Sequence, residues 1–145
     1  FYIGGTKVGA LLGEAIVFTK KNMPKHFLAI VKQKGGLLAK GRVLGVQFDT
    51  LFTDDLYFRV ARHANEMAER LRDIFISHGK KMGVDSPTNQ QFVILTPQEK
   101  EQLMKSIAFE VWSPLPDGNI LCRFVTSWAT TEEDLQALDK SLALL

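Results

Sequence analysis

The sequence predicts an α/β chain whose larger, C-terminal part is an α+β unit with its helices on one face of a small antiparallel sheet. Three observations carry this prediction. Apolar residues recur at helical spacing from about Asp54 to His78. Two alternating segments flank the turn Ser113-Pro114-Leu115-Pro116-Asp117-Gly118. Capping-box sequences open further helices near Pro97 and Thr130.

Element by element, Phe1-Tyr2-Ile3 is strand-like, the glycines at 4, 5 and 9 turn the chain, and Glu14-Ala15-Ile16-Val17-Phe18 is a second, buried strand. Pro24 suits a first helical turn, so a short helix is expected from about Pro24 to Gln33, ended by Gly35-Gly36. Leu37, Leu38, Val43, Leu44, Phe48, Leu51 and Phe52 then suit a second, more buried helix, weakened at Gly41 and Gly45. In the long helix Leu56, Val60, Ala64, Met67, Leu71 and Phe75 form the apolar stripe. Thr53 is its expected N-cap, with Asp54 and Asp55 placing negative charge at the positive end of the dipole. Gly79 and Gly83 end it, and a short strand runs from Gln91 to Leu95. Thr96-Pro97-Gln98-Glu99 opens a helix to about Lys105. Ile107, Phe109 and Val111 share one face of the next strand, and Asn119 to Thr126 returns beside it as a hairpin. Thr130-Thr131-Glu132-Glu133 is read as the cap of a last helix that uses Leu135, Leu138, Leu142 and Leu145.

A chain of 145 residues with 46% hydrophobic and 23% charged residues has ordinary globular composition, which excludes disordered and collagen-like classes. Cys122 is the single cysteine, so neither an internal disulfide nor a multi-cysteine metal site can form, and a cytoplasmic location is expected. The apolar run from Val8 to Phe18 spans eleven residues and contains Glu14, too short and too polar to cross a bilayer. Net charge is only +2, yet no acidic residue lies between Glu14 and Asp49, where Lys20, Lys21, Lys25, Lys32, Lys34, Lys40 and Arg42 all fall. Solvated faces, a small-molecule anion site and a nucleic-acid surface all fit that stretch, although only Phe27 supplies an aromatic among the basics.

Two side chains stand out chemically. Lys7 has Thr6 before it and Val8 after it, which rules out a phosphate-loop motif, and Thr6 breaks a dinucleotide fingerprint starting at Gly4. What remains is a lysine between glycines and apolar strands. Partial burial there would disfavour an ammonium and leave an amine able to attack a carbonyl, making Lys7 a candidate Schiff-base lysine; an exposed turn lysine is the plainer alternative. Arg123 shares a strand face with Leu121 and Val125, where it either grips a carboxylate with two parallel hydrogen bonds or forms a surface salt bridge. Asn89 reads as a turn residue or a polar group at a pocket rim. His26, His63 and His78 have no metal-ligand spacing, and no serine sits in a glycine-flanked nucleophile elbow.

The run Phe1-Tyr2-Ile3-Gly4-Gly5-Thr6-Lys7-Val8-Gly9-Ala10 with Gly13-Glu14-Ala15 resembles the cofactor-lysine segment of the threonine aldolase and β-eliminating lyase group of pyridoxal-phosphate enzymes. Lys34-Gly35-Gly36, Gly41-Arg42-Val43-Leu44, Ser86-Pro87-Thr88-Asn89-Gln90 and Arg123-Phe124-Val125-Thr126-Ser127-Trp128 are similar to later motifs of the same group, in the same order. The resemblance implies a fold type I, aspartate aminotransferase-like enzyme, seen in its C-terminal portion. Residues 1–35 would be the tail of the large domain with the cofactor lysine, 36–52 a connecting helix, and 53–145 the small domain.

It further implies that Lys7 carries pyridoxal 5'-phosphate, with Thr6 beside it, and that Lys40 and Arg42 lie near the phosphate of the same or a neighbouring subunit. Arg123 would bind the α-carboxylate of an amino-acid substrate. The expected activity is cleavage of L-threonine or a related β-hydroxy amino acid to glycine and an aldehyde, with β-elimination to a keto acid and ammonia as the rival chemistry. A non-enzymatic nucleic-acid-binding module is the rival from another class. The enzyme would be a homodimer or homotetramer acting on a small molecule, with no nucleic acid, membrane or metal partner. In this family the general base, the ring-stacking aromatic and the acid that pairs with the pyridine nitrogen precede the lysine. The 145 residues are therefore expected to be part of a longer enzyme and inactive alone.

Overall fold

In the computed structural model, which describes residues 1–145, the chain forms two units, residues 1–59 and 60–145. In the first, Tyr2–Gly4 (β1) pairs antiparallel with Glu14–Ile16 (β2), Tyr2 opposite Ile16 and Gly4 opposite Glu14. Gly9 and Gly13 in the intervening loop have φ of +104° and +93°, dihedrals that glycine adopts without strain.

Phe27–Gln33 (α1) begins later than the expected Pro24, because His26 is left-handed, with φ of +57°, and such a residue cannot continue a right-handed helix. Arg42–Phe52 (α2) also starts later than expected, leaving Leu37 and Leu38 exposed ahead of it. Nor is it the more buried helix its composition suggests: only Leu51 is buried, while Val43, Val46 and Phe52 find too little apolar surface within this unit to cover them.

Thr53 does not cap the long helix Leu56–Ser77 (α3). Its hydroxyl donates back to the Asp49 carbonyl at 2.8 Å, closing α2, and Asp54 and Asp55 take left-handed dihedrals in a single 3-10 turn before α3 begins.

α3 runs on into the second unit, where Ala64, Ala68, Leu71 and Phe75 are buried along one stripe, as the helical spacing predicts. Lys81–Val84 (β3), Gln90–Leu95 (β4), Glu110–Pro114 (β5) and Ile120–Val125 (β6) form one antiparallel sheet in the order β3-β4-β6-β5. Strand β3 was not expected from the sequence, because it is short and interrupted by Gly83. A Cβ on Gly83 would come within 2.3 Å of Leu121 Cδ1, so any larger residue there would have to move the Leu121 side-chain end aside.

Gln91, Val93 and Leu95 of β4 and Cys122 and Phe124 of β6 alternate onto the buried face. Leu71 and Phe75 of α3, Leu103 of Pro97–Leu103 (α4), and Leu135, Leu138 and Leu142 of Glu132–Leu142 (α5) complete this core. Phe124 packs between Phe75 and Phe109, with ring centroids 4.7 and 4.6 Å away. Of the three residues expected on one face, Ile107 and Phe109 pack on the core but Val111 is exposed. They do not share a strand: β5 begins only at Glu110 and bulges between Val111 and Ser113.

The Thr96 and Glu99 capping box forms as read. The last one is displaced by one residue, with Thr131 as the cap and Asp134 as its reciprocal partner, since Asp134 reaches the Thr131 N–H at 2.8 Å. Leu135, Leu138 and Leu142 are buried as expected, while Leu145 lies beyond α5 and is exposed. No helix is long and apolar enough to cross a membrane.

Candidate functional site

Lys7 stands in the turn between β1 and β2, and α2 holds that turn in place. The N–H groups of Val8 and Ala10 both donate to the Gly5 carbonyl, at 3.1 and 3.0 Å, folding the chain tightly around Thr6 and Lys7. Gly5 is buried beneath Phe48, and a Cβ there would lie 2.9 Å from Ala10 Cβ and 3.0 Å from the Phe48 ring. Gln47 accepts from the Leu11 N–H at 2.6 Å and donates to the Val43 carbonyl at 2.9 Å, tying the far side of the loop to α2. The Tyr57 hydroxyl donates to the Gly4 carbonyl at 3.3 Å, and its ring stacks on Phe52. Sequence reasoning missed Gln47, Phe48 and Tyr57 as supports of this turn; the signal available was an amide and an aromatic at adjacent positions of an otherwise amphipathic helix.

Within this unit Lys7 and Thr6 are both exposed. The desolvation expected for Lys7 is therefore not supplied by its own unit. Lys40 and Arg42 flank Gly41 at the N-terminus of α2, where the first turn carries no acidic residue; the Val43 and Leu44 N–H groups donate to the Lys40 and Gly41 carbonyls, so what favours an anion here is the positive end of the helix dipole with the two side-chain charges. At 1.5 Å per residue, this end lies about 8 Å along the axis from Gln47, which holds the lysine loop.

Arg123 belongs to the second unit and lies on the sheet face opposite the core. It sits directly across from Phe92 on one side and Glu110 on the other. Its Nη1 donates to Gln90 Oε1 at 3.0 Å, and its Nη2 donates to the Glu110 carboxylate. Trp112, at the bulge in β5, turns its ring beneath the guanidinium, 4.8 Å from Cζ, and meets Phe92 edge-on at 5.4 Å. The Arg123 Nε is buried without a hydrogen-bond partner. The salt bridge that competed with the carboxylate role is thus present, inside a cluster built from three strands.

The Ser86–Gln90 segment ties itself down. Gln91, almost fully buried, donates to the Ser86 and Thr88 carbonyls at 3.1 and 3.0 Å, and Asn89 donates to the Thr126 carbonyl at 2.7 Å. Thr126 donates in turn to the Ala64 carbonyl of α3 at 2.6 Å. Asn89 is therefore a turn residue with a structural partner.

The histidines are dispersed. His26 is exposed, His63 Nε2–H donates to the Thr130 carbonyl at 2.8 Å, and His78 pairs with Asp139 at 2.7 Å. No group of three His, Cys, Asp or Glu side chains that could hold a metal ion occurs. Burial pushes the Cys122 thiol up from its ordinary value.

Comparison with known proteins bears on both units together. The chain is 29% identical over 143 residues to a low specificity L-threonine aldolase of Pseudomonas aeruginosa, covering 98% of this chain and 40% of that protein. A low specificity L-threonine aldolase of another Pseudomonas is 29% identical over 136 residues, covering 93% of this chain and 38% of the relative. The solved threonine aldolase of Leishmania major superposes with a TM-score of 0.93 at 35% identity, over 99% of this chain and 42% of that one. Sequence and fold both match the C-terminal portion of the threonine aldolase family. The chain spans about two-fifths of the length of these relatives. No protein-family profile matches it.

Threonine aldolases form a pyridoxal-phosphate-dependent family of fold type I, and this chain shares the fold of one of them over 99% of its length. The residues present fit that cofactor: an exposed primary amine on a braced turn, and an anion-favouring helix end flanked by Lys40 and Arg42.

Proposed function

We propose that this chain is the C-terminal part of a pyridoxal 5'-phosphate-dependent lyase that cleaves L-threonine or a related β-hydroxy amino acid to glycine and an aldehyde. The observation that carries it is the superposition on a threonine aldolase over 99% of the chain at a TM-score of 0.93. Residues 1–35 are proposed as the tail of the large domain, 36–52 as the connecting segment, helical from Arg42, and 53–145 as the small domain.

Lys7 is assigned to hold the cofactor covalently, with Thr6 beside it. Gly5, Phe48 and Gln47 fix the backbone from which both project. Lys40 and Arg42, with the N-terminus of α2, are assigned to the phosphate of the same or a neighbouring subunit. When bound, pyridoxal phosphate supplies the electron sink for the charge left on Cα when the Cα–Cβ bond breaks. Arg123 is assigned to the substrate α-carboxylate, orienting the amino acid so that the bond to be broken is presented correctly. Trp112 stacks beneath the guanidinium and Gln90 bonds it in its plane, which supports a positioning function.

The activity belongs to the complete polypeptide, and the 145 residues alone are expected to be inactive. The many exposed apolar side chains of the first unit, among them Leu11, Leu28 and Val43, suit burial by the rest of that polypeptide and by a second copy in a homodimer or homotetramer. A cytoplasmic location is proposed from the single, buried, unpaired cysteine.

Supplying L-threonine to the complete, cofactor-loaded polypeptide tests the proposal. Glycine with acetaldehyde supports it. A keto acid with ammonia would replace it by β-elimination, and strong salt-dependent retention on nucleic acid without cofactor capture would replace it by a binding role.

A further inference from the structure

The Arg123 cluster already contains a carboxylate. Glu110 lies directly across the sheet from Arg123 and accepts from its Nη2, while Gln90 accepts from Nη1. Each outer nitrogen of the guanidinium therefore already has an acceptor, with one further N–H left on each, and Nε is buried without a partner. A carboxylate arriving to form two parallel hydrogen bonds meets one charged and one neutral acceptor already in place at those two nitrogens.

The two partners differ in freedom. The Arg123 side chain is 23% exposed and rests on the Trp112 ring, so it is held by packing as well as by charge. The Glu110 side chain is 62% exposed and stands on β5, the last strand of the sheet. An ion pair this exposed contributes little to stability and is broken at small cost.

We infer that Glu110 is a displaceable placeholder for the substrate carboxylate: it pairs Arg123 while the site is empty and yields Nη2 when an amino acid binds. This rests on the carboxylate role proposed for Arg123. Glu110 is then an intramolecular competitor that lowers affinity for every carboxylate. A ligand that merely touches Nη2 gains nothing over Glu110, and one that adds further contacts in the site prevails. Gln90, which is neutral, and Trp112, which stacks, keep the guanidinium plane fixed during the exchange.

Calorimetric titration of glycine into the complete, cofactor-loaded polypeptide tests this with three variants. Glu110→Gln and Glu110→Ala are expected to bind glycine about two- to fivefold more tightly than the parent, the range set by the strength of an exposed ion pair. A merely structural salt bridge would move affinity the other way, since its loss would loosen Arg123. Unchanged or weaker glycine binding in both Glu110 variants overturns the placeholder role, while a loss of binding in Arg123→Ala preserves the role proposed for the arginine. Glycine bound equally well by Arg123→Ala overturns both.

Discussion

Replacing Arg123 by alanine separates what the residue does for the fold from what it does for the substrate. Its ion pair with Glu110, a residue 62% exposed, is worth roughly 0.2–1 kcal/mol. Its stacking on Trp112 at 4.8 Å adds about 0.5–1 kcal/mol. The Nη1 hydrogen bond to Gln90 adds about 0.5–1.5 kcal/mol, and the buried Nε has no partner to lose. Arg123→Ala is thus expected to cost about 1–3.5 kcal/mol of stability, a sum small enough for the protein to remain folded. Removing one partner of a desolvated charge pair costs about 2–5 kcal/mol of binding, or roughly 30- to 5,000-fold in affinity. Thermal melting of the variant should therefore fall by only a few degrees, while the KM for L-threonine in the complete polypeptide rises at least tenfold and cofactor absorbance is retained. A Michaelis constant within twofold of the parent would refute the assignment, and loss of cofactor together with substrate binding would show that Arg123 braces the site as a whole.

Two further substitutions test the structural account. Thr126→Val keeps shape but removes the hydroxyl that donates to the Ala64 carbonyl, and should cost about 1 kcal/mol, seen as a lowered melting temperature; an unchanged melting curve would mean that this bond does not tie the sheet to α3. Burial alone would raise the Glu99 carboxyl, but hydrogen bonds from Lys80 and from the Thr96 backbone and hydroxyl, with the Lys80 charge, hold it below its ordinary value. Its stabilisation is then fully present above the ordinary glutamate range and is lost as pH falls through the lowered folded value. Parent and Glu99→Gln should differ at neutral pH and converge as pH falls below the lowered folded value in acid-unfolding curves, and a constant gap would contradict the assignment.

Much of the second unit was legible because each signal there is local and agrees with its neighbours. The stripe through Ala64, Leu71 and Phe75, the Thr96 and Glu99 box, and the hairpin around Asp117-Gly118 each specify one conformation, and the core confirms them. Strand β3 escaped because it is short and broken by an irregularity at Gly83, a residue that a propensity argument counts against a strand. The first unit read less well. The periodicity of Leu37 through Phe52 overstated burial because this unit offers α2 few apolar partners, and His26, Asp54 and Asp55 break helices by left-handed dihedrals that their residue types tolerate better than most but do not by themselves specify. At the candidate site, Lys7 and Arg123 stood out by sequence context. Gln47, Phe48, Glu110 and Trp112 did not, because each acts through a partner distant in sequence: Leu11, Gly5 and, for the last two, Arg123.

The attachment of pyridoxal phosphate to Lys7 is the centre of the account. Borohydride reduction of the complete, cofactor-loaded polypeptide followed by peptide mapping measures it directly. The expected result is one reduced adduct on Lys7, with visible cofactor absorbance abolished in Lys7→Ala. An adduct on another lysine, or one that persists in Lys7→Ala, would contradict it.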